Sequence, residues 1–287
     1  MKKKIDIKYN AMREFAKRII IGNLGKVVEE EDKIICYVKK FTKQNGSYVI
    51  ACRGINNKNK DLVEKYNLNK PIYYVIDNFK TKYNNVHVFG YDNVDIIIKN
   101  SEFNFGFDLQ TNGNCELDNV LIKEIYVSQL CANQLNLKKV NIISCFSEIH
   151  LILESNKNIN IIDSVIGDNK VNIDMECKEK INIIDSKING KYISCNSPKM
   201  IINDKSLINS ELSLNIETDD FDKINIMSPL LIYNKNVFLP EEEKVILEKI
   251  NNHLKLNRLQ LIEVLKEIKN ECEESLYSQS VSKVLKK

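Results

Sequence analysis

The hexapeptide INIIDS occupies residues 159–164 and returns at residues 181–186. Two copies 22 residues apart signal a repeating structural unit, and periods of this size belong to solenoids. Extended to eight positions, the pattern is apolar, any, apolar, any, polar, any, any, apolar. It recurs as IIIKNSEF from Ile96, CELDNVLI from Cys115, LNLKKVNI from Leu135, MIINDKSL from Met200 and INIMSPLL from Ile224. The successive offsets are 19, 20, 24, 22, 19 and 24 residues. A second alternating stretch lies between most of these words: FGFDLQ, IYVSQL, IHLILE, VNIDMEC, KYISC and LSLNIE.

Alternation of period two over short runs predicts strands, and residues 94–231 show no stripe of helical period. A unit of about 20 residues with two short strands cannot bury enough apolar surface to hold itself folded. Stacked units share faces and backbone hydrogen bonds, so the repeat implies an array. Parallel coils, each strand pairing with its equivalent one turn later about 4.8 Å away, satisfy the pattern. About seven coils then make a prism on the order of 30 Å long. The stretch INIIDSKINGKYIS and its cognates across residues 94 to about 231 resemble the right-handed parallel β-helix of the pectate-lyase-like superfamily. That resemblance reaches an architecture and no family within it. The leucine-rich pattern L-x-x-L-x-L-x-x-N does not recur, and hexapeptide helices need a tighter beat.

The expected organisation is therefore an N-terminal cap at residues 1–84, a single-stranded parallel β-helix at 85–238 and an α-helical segment at 239–287. In the cap, Asn10 precedes a helix carrying Met12, Phe15, Ala16, Ile19 and Ile20 on one side. Asn45-Gly46 sits between two alternating runs and predicts a tight hairpin. The stretch INNKNKDLVEKYNLNK reads as a loop or marginal helix. Pro240 followed by Glu241, Glu242 and Glu243 opens a helix with Val245, Ile246, Ile250 and Leu254 on one face, continued by Leu261, Leu265, Ile268 and Cys272. These helices are expected to cap the far end or to dock on another protein or a second copy.

Charge does not point to nucleic acid. Forty-two Lys+Arg against 39 Asp+Glu leave a net +3, the lysines gather at the termini, and no arginine falls between residues 94 and 231. The apolar runs are too short to cross a bilayer and no signal peptide opens the chain, so a cytoplasmic location is expected. Cysteines 36, 52, 115, 131, 145, 177, 195 and 272 form no C-x-x-C pair, and His87, His150 and His253 are scattered. This predicts reduced core thiols and neither a metal nor a cofactor site.

The polar position of the repeat reads Asn100, Asn119, Lys139, Asp163, Asp185, Asp204 and Ser228. Asp163, Asp185 and Asp204 would then stack in register, each adjacent pair repelling by roughly 1 kcal/mol in water and about 3 to 4 kcal/mol at an effective dielectric near 20. A solvated turn whose Asp and Asn side chains accept backbone N–H bonds relieves this; a bound Ca²⁺ or a shared proton is the alternative. Cys145 and His150 lie five residues apart, a spacing that fixes no catalytic geometry, and GNLGK at 22–26 lacks P-loop spacing. The chain has no tryptophan, and the motifs N-T-D, G-H-G and R-I-K of pectin-degrading enzymes are absent. No catalytic residue is assigned. The expected role is a non-catalytic intracellular solenoid that binds or scaffolds protein through a solenoid face or its terminal helices. A carbohydrate-active enzyme is the second reading and a nucleic-acid-associated protein the third.

Overall fold

In a computed structural model of the protein, the structure describes residues 24–44, 46–52, 70–91, 94–123, 127–144, 149–221, 226–228, 231–233 and 236–238. The helices expected around Met12–Ile20 and beyond Pro240 lie outside the described residues, as does the loop at 53–69. Among the described residues the structure is a parallel β-solenoid of about six turns.

Each complete turn has three strand faces. In the turn that holds the first INIIDS, these are Asn158–Ile162, Val165–Ile166 and Val171–Cys177. The alternating aliphatics of the repeat face inward because a strand sends successive side chains to opposite sides. On the first face Ile96, Cys115, Leu135, Ile159, Ile181 and Met200 occupy one continuous row, each opposite the next. Ile98, Leu117, Leu137, Ile161, Ile183 and Ile202 form the row beside it. The third face adds Val88, Leu109, Leu130, Leu153, Met175, Cys195 and Ile216. All are buried, and together they fill one continuous core. Hydrogen bonds between turns satisfy the backbone, and the stacked rows remove the apolar surface that one turn alone would leave exposed.

The parallel ladder starts ahead of residue 85. Ile34–Val38 already pairs with Ile72–Asp77, and Ser47–Cys52 with Val86–Gly90, because Ile34, Cys36, Ile50 and Cys52 alternate inward as the later repeats do. The hairpin expected at Asn45-Gly46 is present: Thr42–Gln44 runs antiparallel to Ser47–Cys52, with Gly46 at φ +81°. Phe41, Phe79, Phe103 and Phe107 stack successively, with centroids 4.1, 6.1 and 4.4 Å apart, and pack this end of the lumen. Antiparallel strands close both ends of the ladder. Leu24–Glu29 lies against Ile34–Val38 across a register shift at Leu24/Lys26, and Asn236–Phe238 lies against Leu231–Tyr233. The irregular, charged edge at Leu24–Glu29 resists further pairing.

The last repeat departs from expectation. Met200 pairs with Phe221 and not with Ile224, while Ile208 pairs with Ile226. The described strands of the final turn are Asp220–Phe221 and Ile226–Met227, and the structure has about six turns where about seven were expected. Ser228 consequently follows a second-face strand and is not the equivalent of Asp185.

Candidate functional site

The polar position of the repeat is the corner between the first and second faces. Asn78, Asn100, Asn119, Lys139, Asp163 and Asp185 all take left-handed φ between 48° and 56° there. Asn and Asp tolerate this region better than other non-glycine residues, so the geometry selects them. At such a corner the chain turns too sharply for the next N–H to reach a carbonyl of the neighbouring turn. The serine of INIIDS replaces that carbonyl. Val140 N donates to Ser164 Oγ at 3.0 Å, Ser164 N to Ser186 Oγ at 3.0 Å, and Ser186 N to Ser206 Oγ at 3.1 Å. Two of these hydroxyls in turn donate to a carbonyl two residues back, Ser164 to Ile162 at 2.7 Å and Ser186 to Ile184 at 2.6 Å, while Ser206 donates to Ile183 O at 3.2 Å. Buried and doubly bonded, these serines form a polar seam along the core.

Only two of the three expected carboxylates stack. Asp163 and Asp185 are rung neighbours at the corner, but an added residue in the turn after Ile202 moves Asp204 aside, with no positive φ. Asn203 takes the adjoining place. Its Nδ2 donates to Asp185 Oδ1 at 2.7 Å, and its Oδ1 accepts from Asp185 N at 3.0 Å. The same amide relay continues at the other end, where Asn119 Nδ2 donates to Asn100 Oδ1 at 2.9 Å and Asn100 Nδ2 to Asp77 Oδ1 at 3.1 Å. Amide dipoles beside Asp185 and Asp77 offset the charge that a pure carboxylate column would accumulate. Among the described residues, no three His, Cys, Asp or Glu side chains group in a way that would hold a metal ion.

The outer side of the third face has two regions. Toward the N-terminal end, Val49, Phe89 and Tyr91 form a cluster separate from the lumen and are nonetheless buried. Beside them His87 Nδ1 lies 2.9 Å from Asp108 Oδ2, both side chains buried, although that contact lacks hydrogen-bond alignment. The imidazole stacks at 6° on Phe89, and Asp108 Oδ1 accepts from Gln129 N at 3.1 Å. The pair clasps two neighbouring turns across the face. Composition had marked His87 as an isolated imidazole; its partner is 21 residues ahead, one turn in a ladder whose offsets vary.

Further along, the neighbouring strands Ile149–Ser155, Val171–Cys177 and the second halves of Lys187–Asn196 and Leu207–Glu217 expose Glu154, Asp174 and Glu176. Glu154 and Glu176 are rung neighbours, with Asp174 two residues from Glu176 on the same outward side. His150, Asn172 and Tyr192 form the next outward row, His150 Nε2 lying 3.4 Å from Asn172 Nδ2. Nothing in the sequence repeat marks this region, because outward positions are free to vary within it.

Cys36, Cys52, Cys115, Cys131 and Cys195 are poor nucleophiles. Burial pushes Cys36 up to about 11, and burial holds Cys52, Cys115 and Cys195 still further above the ordinary thiol range. Cys131 is raised first by burial and next by the charge of Glu154, whose Oε2 lies 3.6 Å from its sulfur. Each stays protonated near neutrality, and the thiolate is the reactive form. Cys36, Cys52, Cys115, Cys131, Cys177 and Cys195 are free. Cys145 lies outside the described residues, while His150 points outward toward Asn172. No helix among the described residues is long and apolar enough to cross a membrane. No family model, no curated protein and no solved structure matches the chain.

Proposed function

We propose that the chain is a non-catalytic recognition module, a β-solenoid that presents an outer face to a protein partner. The observation that carries this reading is the register of the third face: two neighbouring strands hold Glu154, Asp174 and Glu176 at fixed spacings in a ladder that two further strands continue. Spacing set by the backbone reduces the ordering cost of association, which favours recognition. Turnover would ask for a carboxyl or nucleophile set apart from water yet open to substrate; the buried Asp108 is instead engaged with His87 and the Gln129 N–H. Here Glu154, Asp174 and Glu176 are exposed, and Cys36 and Cys131 are held protonated by burial. Free buried thiols support a reducing, intracellular setting.

Crosslinking in extract of the native host, with mass spectrometric mapping, tests the reading. A specific partner whose crosslinks map to the third face is the expected result. Size-exclusion chromatography with light scattering that returned a lone monomer, together with crosslinks scattered over all faces, would contradict it. Turnover of an acidic polysaccharide would establish the enzymatic reading in its place.

A further inference from the structure

We infer that the first face of the solenoid is an interface with a second copy of the chain, packed face to face with the two solenoid axes antiparallel. Outward side chains of this face stand in columns along the axis. One column runs Asp95, Asn114, Gln134, Asn158, Lys180 and Lys199, with Tyr73 ahead of it and Asp220 behind. The column beside it runs Ile97, Glu116, Asn136, Asn160, Asn182 and Ile201. None of the residues from Asp95 to Lys199 in the first column, or from Ile97 to Ile201 in the second, is buried.

Both columns are complementary to their own reverse. A two-fold axis lying along the strand direction, midway between the rungs of Asn136 and Asn160, sets Asp95 against the second copy's Lys199 and Asn114 against its Lys180. It sets Ile97 against Ile201, Glu116 against Asn182 and Asn136 against Asn160. The second copy's Lys180 then stands two residues along the strand from the position opposite Glu116. Each contact is made twice, which is the form an isologous interface takes.

Charge supplies the direction of packing. Segments 95–99 and 114–118 carry Asp95, Glu116 and Asp118 against Lys99 alone, and that lysine is already paired with Asp77 at 3.5 Å. Strands Lys180–Ile184 and Lys199–Ile202 carry Lys180 and Lys199 and no carboxylate. Parallel axes would lay acid on acid, whereas antiparallel axes lay acid on base. Between these ends the face is amide: Gln134, Asn136, Asn158 and Asn160. An amide carries donors and acceptors together, so a field of amides matches itself. Asn160 Nδ2 donates to Asn136 Oδ1 at 2.7 Å within one copy, which leaves further donor and acceptor capacity on both side chains.

The patch measures about 25 Å by about 15 Å, at the small end of specific interfaces, so the dimer is reversible and depends on concentration. Sedimentation velocity of the full chain over a concentration series, at low and high salt, tests the assignment. A monomer–dimer equilibrium that salt weakens is expected. E116K and K180E are each expected to weaken the dimer roughly tenfold or more. An equimolar mixture of the two variants, and the double variant E116K/K180E, should recover it, because acid again meets base; recovery also shows that the variants fold. D174K, on the third face, is expected to leave the equilibrium unchanged. A chain that stays monomeric at every concentration, a dimer indifferent to E116K and K180E, or variants that do not recover on mixing would overturn the assignment. Crosslinks of a partner to the third face do not depend on this outcome, so a monomer that still captures such a partner removes the first-face interface alone.

Discussion

Ser164 N donates to Ser186 Oγ at 3.0 Å, and Ser186 Oγ donates to Ile184 O at 2.6 Å. This relay gives each letter of INIIDS a separate task. The isoleucines at its first and third positions fill the lumen, Asp takes the left-handed corner, and Ser supplies the acceptor that the corner removes from the ladder.

Replacing Ser186 by Ala leaves the Ser164 N–H buried without an acceptor. The cost of such a group is about 1 to 3 kcal/mol, read as a lower urea midpoint with an unchanged slope. Val120 and Val140 occupy the equivalent place in earlier turns, so size is not the difficulty. A midpoint equal to that of the wild type would show that the serine relay does not stabilise the fold.

Lys139 is the exception among the left-handed corner residues, at φ +52°. Lysine lacks the short polar side chain that favours this region, and Lys139→Asn is expected to stabilise by about 0.5 to 1 kcal/mol. Asp185→Val, which places a β-branched side chain at φ +49°, is expected to lower the urea midpoint. The opposite order of the two variants would mean that the corner is set by packing and not by backbone preference.

Gly167 combines φ +76° with a crowded site, where an added Cβ would sit 2.4 Å from Asn189 O and 2.7 Å from Ile173 Cδ1. Both features oppose a side chain. Gly167→Ala is expected to cost about 2 kcal/mol or more, whereas Gly46→Ala, at φ +81° with open space around it, should cost less in the same melt.

Alkali should unfold the protein. Cys36 is raised by burial from an ordinary 9.0 to about 11, and Cys52, Cys115 and Cys195 are raised further in the same direction. An unfolded chain therefore releases these protons first, so stability is fully present below pH 9 and is lost as pH rises beyond it. Each thiol contributes a slope of roughly 1.4 kcal/mol per pH unit above its unfolded value. Urea midpoints measured between pH 8 and about 11 are expected to fall steeply, and more gently in C52A/C115A. A flat profile would place the thiols in contact with water.

Inward rows were legible from residues such as Ile159 and Ile181 because a lumen restricts size and polarity at every turn. Asp204 was not placed correctly, since one added residue after Ile202 changes a corner without disturbing the aliphatic spacing on either side. The word from Ile224 also satisfied the pattern, yet the pairing runs through Phe221 and Ile226. His87 with Asp108 and the acidic third face were hidden for a related reason. Outward side chains meet only across turns, and no spacing along the chain specifies such meetings when offsets range from 19 to 24 residues.

The stacking of Ile161 on Ile183 underlies all of these expectations, and their outward neighbours Ile162 and Ile184 report on it directly. Rung neighbours about 4.8 Å apart fall within the reach of a disulfide. Mild oxidation of I162C/I184C, followed by peptide mapping, should yield the 162–184 bridge in high proportion. I162C/I201C is expected to bridge far less, since Ile201 pairs with Asn182 one turn beyond. Equal bridging in the two variants, or none between 162 and 184, would contradict the stacked register.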